Sequence, residues 1–330
     1  MTHGICLIGA GRIGCIHAAN IAATDGLELT YIVDPVAEAA ARLAGQCGGR
    51  ITDLETALKD KSVAGIVIAS ATSTHADLIE QAAKAGKAIF CEKPVALDVA
   101  RTEMAIAGAD AADVPLLLGF NRRYDPDFSA LKRRIDDGTI GNVELVQITS
   151  RDPSPPPVSY IKTSGGLFKD MMIHDLDMAR WLLGEEPAFV SAQASCLVDP
   201  EIAKAGDIDS ALVTLRTSSG KLCQISNSRR AVYGYDQRIE VHGSGGLVSA
   251  GNRLESSVRI NTGAGETDDK IQHFFLERYA AAYRHEILHF RDILDGGTSP
   301  LTSGADGHRA LVLAEAAARS YKEGTTIAVG

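Results

Sequence analysis

The chain has 330 residues, longer than the ~250–300 at which a single core usually stops growing, so two domains are expected. Hydrophobic residues make up 45% and charged residues 23%, which excludes wholesale disorder. The net charge of −9, with no basic stripe, argues against nucleic acid or an anionic membrane as partner, and no uncharged apolar window reaches membrane-spanning length.

Short apolar runs at 5–9, 29–34, 66–70, 88–91 and 116–120 have the length and composition of buried strands. Ala-rich helical stretches lie between them at 36–43, 76–85 and 99–109. Thr74-His75-Ala76-Asp77 has the capping-box pattern ahead of Leu78, and Gly86 stands where a helix C-cap belongs. Strands alternating with helices of this size predict a doubly wound parallel sheet over 1–120. The opening Met-Thr-His-Gly lacks a basic region, so the first apolar run reads as a strand rather than a signal peptide.

Beyond Phe120 the rhythm changes. A charged helix is predicted at 127–137, a strand at 143–149, and a proline-rich loop at 152–157. One helix follows over 170–183, closed by Gly184. Strand-like segments then run at 189–198, 211–217, 222–228, 238–242, 247–250 and 257–260, with turns at 218–220 and 243–246. No helix fits between consecutive members, so this sheet should be mostly antiparallel. Helices at 272–294 and 305–322 close an α+β domain spanning 121–330. The six cysteines form no C-x-x-C pair and read as the reduced, mostly buried thiols of a cytoplasmic protein.

Gly9-Ala10-Gly11-Arg12-Ile13-Gly14 follows the first strand and opens a helix. The glycines allow a tight turn and close approach of backbone to a pyrophosphate, which the helix N-terminus attracts with its unpaired N–H groups. Asp34, ending the second strand 20 residues beyond Gly14, suits the ribose hydroxyls of NAD. No arginine adjoins it to receive the 2′-phosphate of NADP. Lys93, in Glu92-Lys93-Pro94, projects from the carboxyl edge of the sheet, where it either orients a substrate hydroxyl or is merely solvated. Asp170 and His174, at i and i+4 of the predicted helix, share a face. They read as a general base with its orienting carboxylate or as an ordinary helix start with a first-turn anion. His285-Glu286-Ile287-Leu288-His289 matches the zinc motif H-E-x-x-H, with Glu315 as a third candidate ligand. It also fits a plain amphipathic helix, which is the preferred reading, with no metal. No G-x-S-x-G hydrolase elbow occurs.

Together and in this order, Gly9–Gly14, Cys91-Glu92-Lys93-Pro94 and Asp170-Met171-Met172-Ile173-His174-Asp175 resemble the glucose–fructose oxidoreductase / inositol dehydrogenase / rhizopine-catabolism family, over essentially the whole chain. Gly119–Asp125, the loop 151–157, Tyr160-Ile161-Lys162, Gly165–Phe168 and Tyr233-Gly234-Tyr235-Asp236 resemble its inositol 2-dehydrogenase branch. The resemblance implies NAD-dependent oxidation of myo-inositol to 2-keto-myo-inositol, in a site between a dinucleotide domain and an open, mostly antiparallel sheet. It implies a cis Lys93-Pro94 bond, Lys93 on the reacting hydroxyl, His174 as general base beside Asp170, and Arg122, Asp152 and Tyr235 on other hydroxyls. It assigns Gly9, Gly11, Arg12, Ile13, Gly14, Asp34, Ser70, Thr72, His75, Glu92 and Lys93 to the cofactor, requires no metal, and implies a homotetramer built through the sheet.

One departure bears on the substrate. Where the branch carries His-Arg-Asn-Pro, this chain has Ser150-Arg151-Asp152-Pro153. An ionised Asp152 only accepts hydrogen bonds, whereas Asn also donates. Another inositol isomer or a glucose-like pyranose is therefore the alternative substrate. A catalytically silent sensor on the same fold is the rival class, and the presence of Lys93, Asp170 and His174 speaks against it.

Overall fold

The computed structural model describes residues 2–330. The chain divides into two compact units: the chain through Tyr124 together with Ala281–Leu311, and Asp125–Ala280 with Val312–Gly330.

The first unit is built on six parallel strands, β1 (His3–Ile8), β2 (Leu27–Val33), β3 (Arg50–Ile51), β4 (Val63–Ile68), β5 (Ala88–Cys91) and β6 (Leu116–Leu118), in the order β3-β2-β1-β4-β5-β6. Ile5 to Ile8 and Ile66 to Ile68 are buried, as strands covered on both faces must be. Helices α1 (Arg12–Ala22), α2 (Ala37–Cys47), α3 (Leu54–Lys59), α4 (Thr72–Lys84) and α5 (Val99–Ala111) connect them. Strand order reverses between β1 and β4, which creates the crevice where such sheets bind ligands. Two elements were invisible in sequence: β3 is two residues long and exposed, and α3 a six-residue helix. Helix α4 starts at Thr72, two residues before the predicted cap, and the Thr74 hydroxyl turns back onto the Ala71 carbonyl at 2.8 Å. Gly86, at φ +68°, follows the end of that helix as predicted.

The second unit opens with α6 (Pro126–Asp136) and β7 (Val143–Arg151). Three helices follow where one was predicted: α7 (Val158–Ser164), α8 (Gly166–Asp170) and α9 (Ile173–Leu183). Gly165 and Gly166, at φ +88° and +81°, turn the chain between α7 and α8. Met171 and Met172 interrupt the ladder, with both of their N–H groups returning to the Leu167 carbonyl. Asp170 and His174 are therefore on different helices, which overturns the single-helix argument for their shared face.

Then come β8 (Pro187–Ser195), α10 (Pro200–Lys204), β9 (Ser210–Thr217), β10 (Leu222–Ser228), β11 (Asp236–Gly243), β12 (Gly246–Ala250) and the exposed hairpin β13 (Arg259–Thr262) and β14 (Gly265–Asp268). The main sheet runs β12-β11-β7-β10-β9-β8-β15, with β15 at Ile327–Ala328, and only the pair of β7 and β10 is parallel. The mostly antiparallel expectation holds. The expectation that no helix interrupts the strands fails at α10, a five-residue turn of helix capped by Asp199.

The closing segment is α11 (Phe275–Arg278), α12 (Ala280–Leu294) and α13 (Gly304–Glu323). The predicted helix over 272–294 breaks at Tyr279. Residues 281–311 fold with the first unit, where sequence had placed everything after 120 in the second. The reason is local fit: Phe290 packs on Gly65 of β4 so closely that a Cβ there would lie 2.9 Å from its ring. Gly307 likewise leaves room for Leu118, which a Cβ would meet at 2.3 Å.

Candidate active site

The end of β1 forms a cradle for a pyrophosphate. Gly9 sits at φ +105° with the Ala69 carbonyl 2.5 Å from where a Cβ would be, and a Cβ on Gly14 would lie 1.9 Å from the Gly9 carbonyl. No side chain replaces either glycine without moving backbone. Gly11, the N-cap of α1, has open space where a Cβ would go. Helix α1 has no side-chain cap and no acidic residue in its first turn, so its N-terminus offers N–H groups and a positive dipole end to an anion. Arg12 and Ile13 begin that helix. Asp34 accepts from Ala10 N at 2.6 Å and Val36 N at 2.7 Å, which holds its carboxylate beside the glycine turn. This donor set fits a dinucleotide.

The other residues assigned to the cofactor lie at the ends of β4 and β5. Ser70 and Thr72 border the start of α4, and the Ser70 hydroxyl pairs with that of Thr74 at 2.7 Å. His75 is buried, with its ring nitrogens 2.8 Å from the Pro94 carbonyl and 3.1 Å from the Ser70 carbonyl. It ties two strand ends together. Glu92 also turns inward, accepting from His17 Nε2 at 2.7 Å. Lys93, half-buried, follows it into a cis peptide bond with Pro94. Arg122 and Arg123 are both buried in a short 3-10 turn; Arg123 donates to the Leu301 carbonyl at 3.1 Å and to Asp306 at 2.8 Å, a structural tie.

In the second unit, Asp170 closes α8 and His174 lies in the first turn of α9. Asp170 accepts from the Tyr160 hydroxyl at 2.8 Å and lies 3.3 Å from the guanidinium of Arg229, which is itself 3.7 Å from Asp207. Burial, then the Asp170 charge and hydrogen bond, push the Tyr160 hydroxyl well above its usual range, so it remains a donor. Sequence reasoning named neither Tyr160 nor Arg229 as a partner of Asp170, because they come from α7 and the end of β10 with no local spacing to betray them. Asp175 is buried and accepts from Asn227 at 2.9 Å. Asp152 is half-buried beyond the end of β7, and Tyr235 is buried against Tyr279 in an edge contact with ring centroids 5.9 Å apart. Ser150 is fully buried and donates to Gln237 Oε1 at 3.0 Å. Its place in the alternation of β7 points it into the unit.

The three polar side chains of H-E-x-x-H separate. His285 Nδ1 donates to the Tyr124 carbonyl and His289 Nε2 to the Ser299 carbonyl, each at 3.0 Å, while Glu286 is buried. Glu315 pairs with Lys169 at 2.9 Å. Among the described residues no cluster of three or more His, Cys, Asp or Glu is arranged to hold a metal, and no helix is long and apolar enough to cross a membrane.

Residues 3–120 match the oxidoreductase family with an NAD-binding Rossmann fold, and residues 128–249 match the GFO/IDH/MocA C-terminal domain. The chain is 50% identical over 329 residues to an inositol 2-dehydrogenase of Rhizobium meliloti, covering 100% of both. It is 46% identical over 321 residues to a myo-inositol 2-dehydrogenase of Thermotoga maritima, covering 97% of this chain and 96% of that one. A crystal structure of a myo-inositol dehydrogenase from Corynebacterium glutamicum superposes with a TM-score of 0.96 at 43% identity, covering 100% of this chain and 99% of that one. The glycine cradle and Asp34 agree with the first match and the mostly antiparallel sheet with the second; the chain belongs to the GFO/IDH/MocA oxidoreductase family.

Proposed function

We propose that this protein is an NAD-dependent inositol 2-dehydrogenase that converts the axial CH–OH of myo-inositol into the ketone of 2-keto-myo-inositol. The observation that carries the reading is full-length likeness, at 50% and 46% identity, to relatives bearing that name, in a chain that keeps the dinucleotide cradle. The cofactor, when bound, accepts the hydride. Gly9, Gly11 and Gly14 with the start of α1 take its pyrophosphate, and Asp34 takes the ribose hydroxyls. Ser70 and Thr72 flank it, while His75 and Glu92 shape that edge of the sheet from below.

His174 removes the hydroxyl proton as the C–H bond gives up its hydride, so the carbonyl forms without an unscreened alkoxide. Asp170, held by Tyr160 and Arg229, orients that base. Lys93 hydrogen-bonds the reacting oxygen and stabilises the charge that develops there, the service a metal performs in other dehydrogenases. Arg122, Asp152 and Tyr235 bind the remaining hydroxyls. The enzyme works in the cytoplasm as a homotetramer assembled on the outer face of its large sheet, where Leu212, Leu222 and Leu247 are exposed.

A second reading, dehydrogenation of another inositol isomer or an aldose, is favoured by Asp152, which offers only acceptors to the ring when ionised. The test is a panel of myo-, scyllo- and chiro-inositol, glucose and galactose with NAD, following NADH absorbance. Turnover led by myo-inositol supports the first reading, turnover led by another polyol the second. No turnover with NAD or NADP, despite tight cofactor binding, overturns both.

A further inference from the structure

Helix α12 carries a group for which the reaction above has no use. Glu286 is fully buried, and neither of its carboxyl oxygens meets a hydrogen-bond donor. Burial, and then the charge of Glu92, hold this carboxyl well above the usual range. Glu92 accepts from His17 Nε2 through Oε1. Its other oxygen lies against Gly119, where a Cβ would come within 2.8 Å of Oε2. The fully buried ring of His17 is flanked edge-on by Phe90 at 4.8 Å and by Tyr283 at 5.9 Å, and Tyr283 stands one turn before Glu286 on α12. His17 from α1 and the bare backbone after β6 thus face Glu92, and Tyr283 of α12 faces His17. Lys93 is the residue next to Glu92.

Two neighbouring carboxyl groups in so dry a place do not both ionise. An acid whose oxygens find no donor is satisfied when it supplies the proton itself, because a protonated carboxyl donates. We propose that Glu286 is a positioning residue for Lys93: it stands as the neutral acid and donates its proton to Glu92, fixing the carboxylate that His17 holds on the other side and so anchoring the strand end that presents Lys93. This rests on the role given to Lys93 above. It also accounts for Glu286 in H-E-x-x-H without any metal chemistry, since both flanking histidines are spent on backbone carbonyls.

The experiment compares E286Q, which keeps an N–H donor of similar size, with E286L, which keeps the volume and loses the donor. Infrared spectra of the native protein in H2O and D2O should show the carbonyl stretch of a buried carboxylic acid, and E286Q should lack it. E286L should lower kcat about 10-fold, the order expected for a charge-assisted hydrogen bond, with KM for NAD unchanged, and E286Q should restore most of the loss. The alkaline fall of kcat/KM that follows ionisation of Glu286 should be absent from E286Q. An acid band that persists in E286Q overturns the proposal, as does E286L with native kcat and pH profile. Where E286L does not fold, the band and the E286Q profile decide. K93M run in parallel separates the two readings: native kcat in K93M removes the role of Lys93, while the infrared band still reports on Glu286.

Discussion

Asp34, just past the end of β2, spends its two carboxylate oxygens on the backbone N–H groups of Ala10 and Val36, beside the glycine turn. In the proposed function that carboxylate takes the ribose hydroxyls, and its charge would repel a 2′-phosphate. Asp34→Ala should therefore raise KM for NAD and narrow the preference over NADP, read from initial rates with both cofactors; an unchanged preference would place the ribose elsewhere. His174→Ala should lower kcat by about 10²–10⁴-fold, the usual worth of a positioned general base, while cofactor binding measured by fluorescence titration stays intact. Near-native turnover would remove His174 from the chemistry. Asp34 was legible because strand, glycine turn and acid are local features of one βαβ unit. The pairing of Glu92 with His17 was not, because it joins residues 75 positions apart that only the parallel sheet brings together.

At the scale of elements, the second unit is shaped by buried polar ties that interrupt its helices. Arg278 and Asp125 form a buried ion pair, and Asp125 also caps α6 by accepting from Asp127 N and Phe128 N. Ending α11 at Arg278 leaves Tyr279 outside the helix, where its hydroxyl donates to Gln237 at 3.2 Å. Asp209 does the same service for the turn after β8, accepting from the N–H groups of Leu197, Val198 and Asp199 at 2.7–3.1 Å. Burial works against this ion, but the three N–H donors prevail and its carboxyl stays below the usual range. Because the folded-state pKa is depressed, the stabilisation is present above the unfolded value near 4 and is lost as pH falls through the lower folded value. Asp209→Asn should cost about 2–3 kcal/mol at neutral pH, and the gap to the native protein in urea unfolding should close under strong acid. A gap independent of pH would mean that the charge contributes nothing.

For the whole molecule, the proposed homotetramer is placed on the outward face of the large sheet. Alternation along β9 and β10 sends Leu212, Thr214 and Arg216, and Leu222 and Gln224, outward, while α9 packs against β7 and β10 on the opposite face. Leu212 and Leu222 stand exposed there among polar neighbours, so charges placed at these two positions test the proposed contact. The double substitution Leu212→Glu, Leu222→Glu should shift the mass measured by light scattering from tetramer to smaller species, with secondary structure unchanged. A mass that does not move would place the subunit contacts on another surface.

Sequence alone determined the class of each unit, since buried-strand runs alternating with Ala-rich helices admit only a parallel sheet, and short strands joined by glycine turns a mostly antiparallel one. It also located the tight glycine turn after β1 and the acid at the end of β2, which lie within 30 residues of chain. Tertiary structure decided what depends on distant neighbours. It separated Asp170 and His174 onto two helices, gave Asp170 its partners Tyr160 and Arg229, buried Ser150, and joined residues 281–311 to the first unit. Spacing along a chain reports which face a residue occupies only while one regular element continues. Where a buried polar group finds its partner from another element, the hydrogen bond that satisfies it outweighs the helical continuity that spacing assumes.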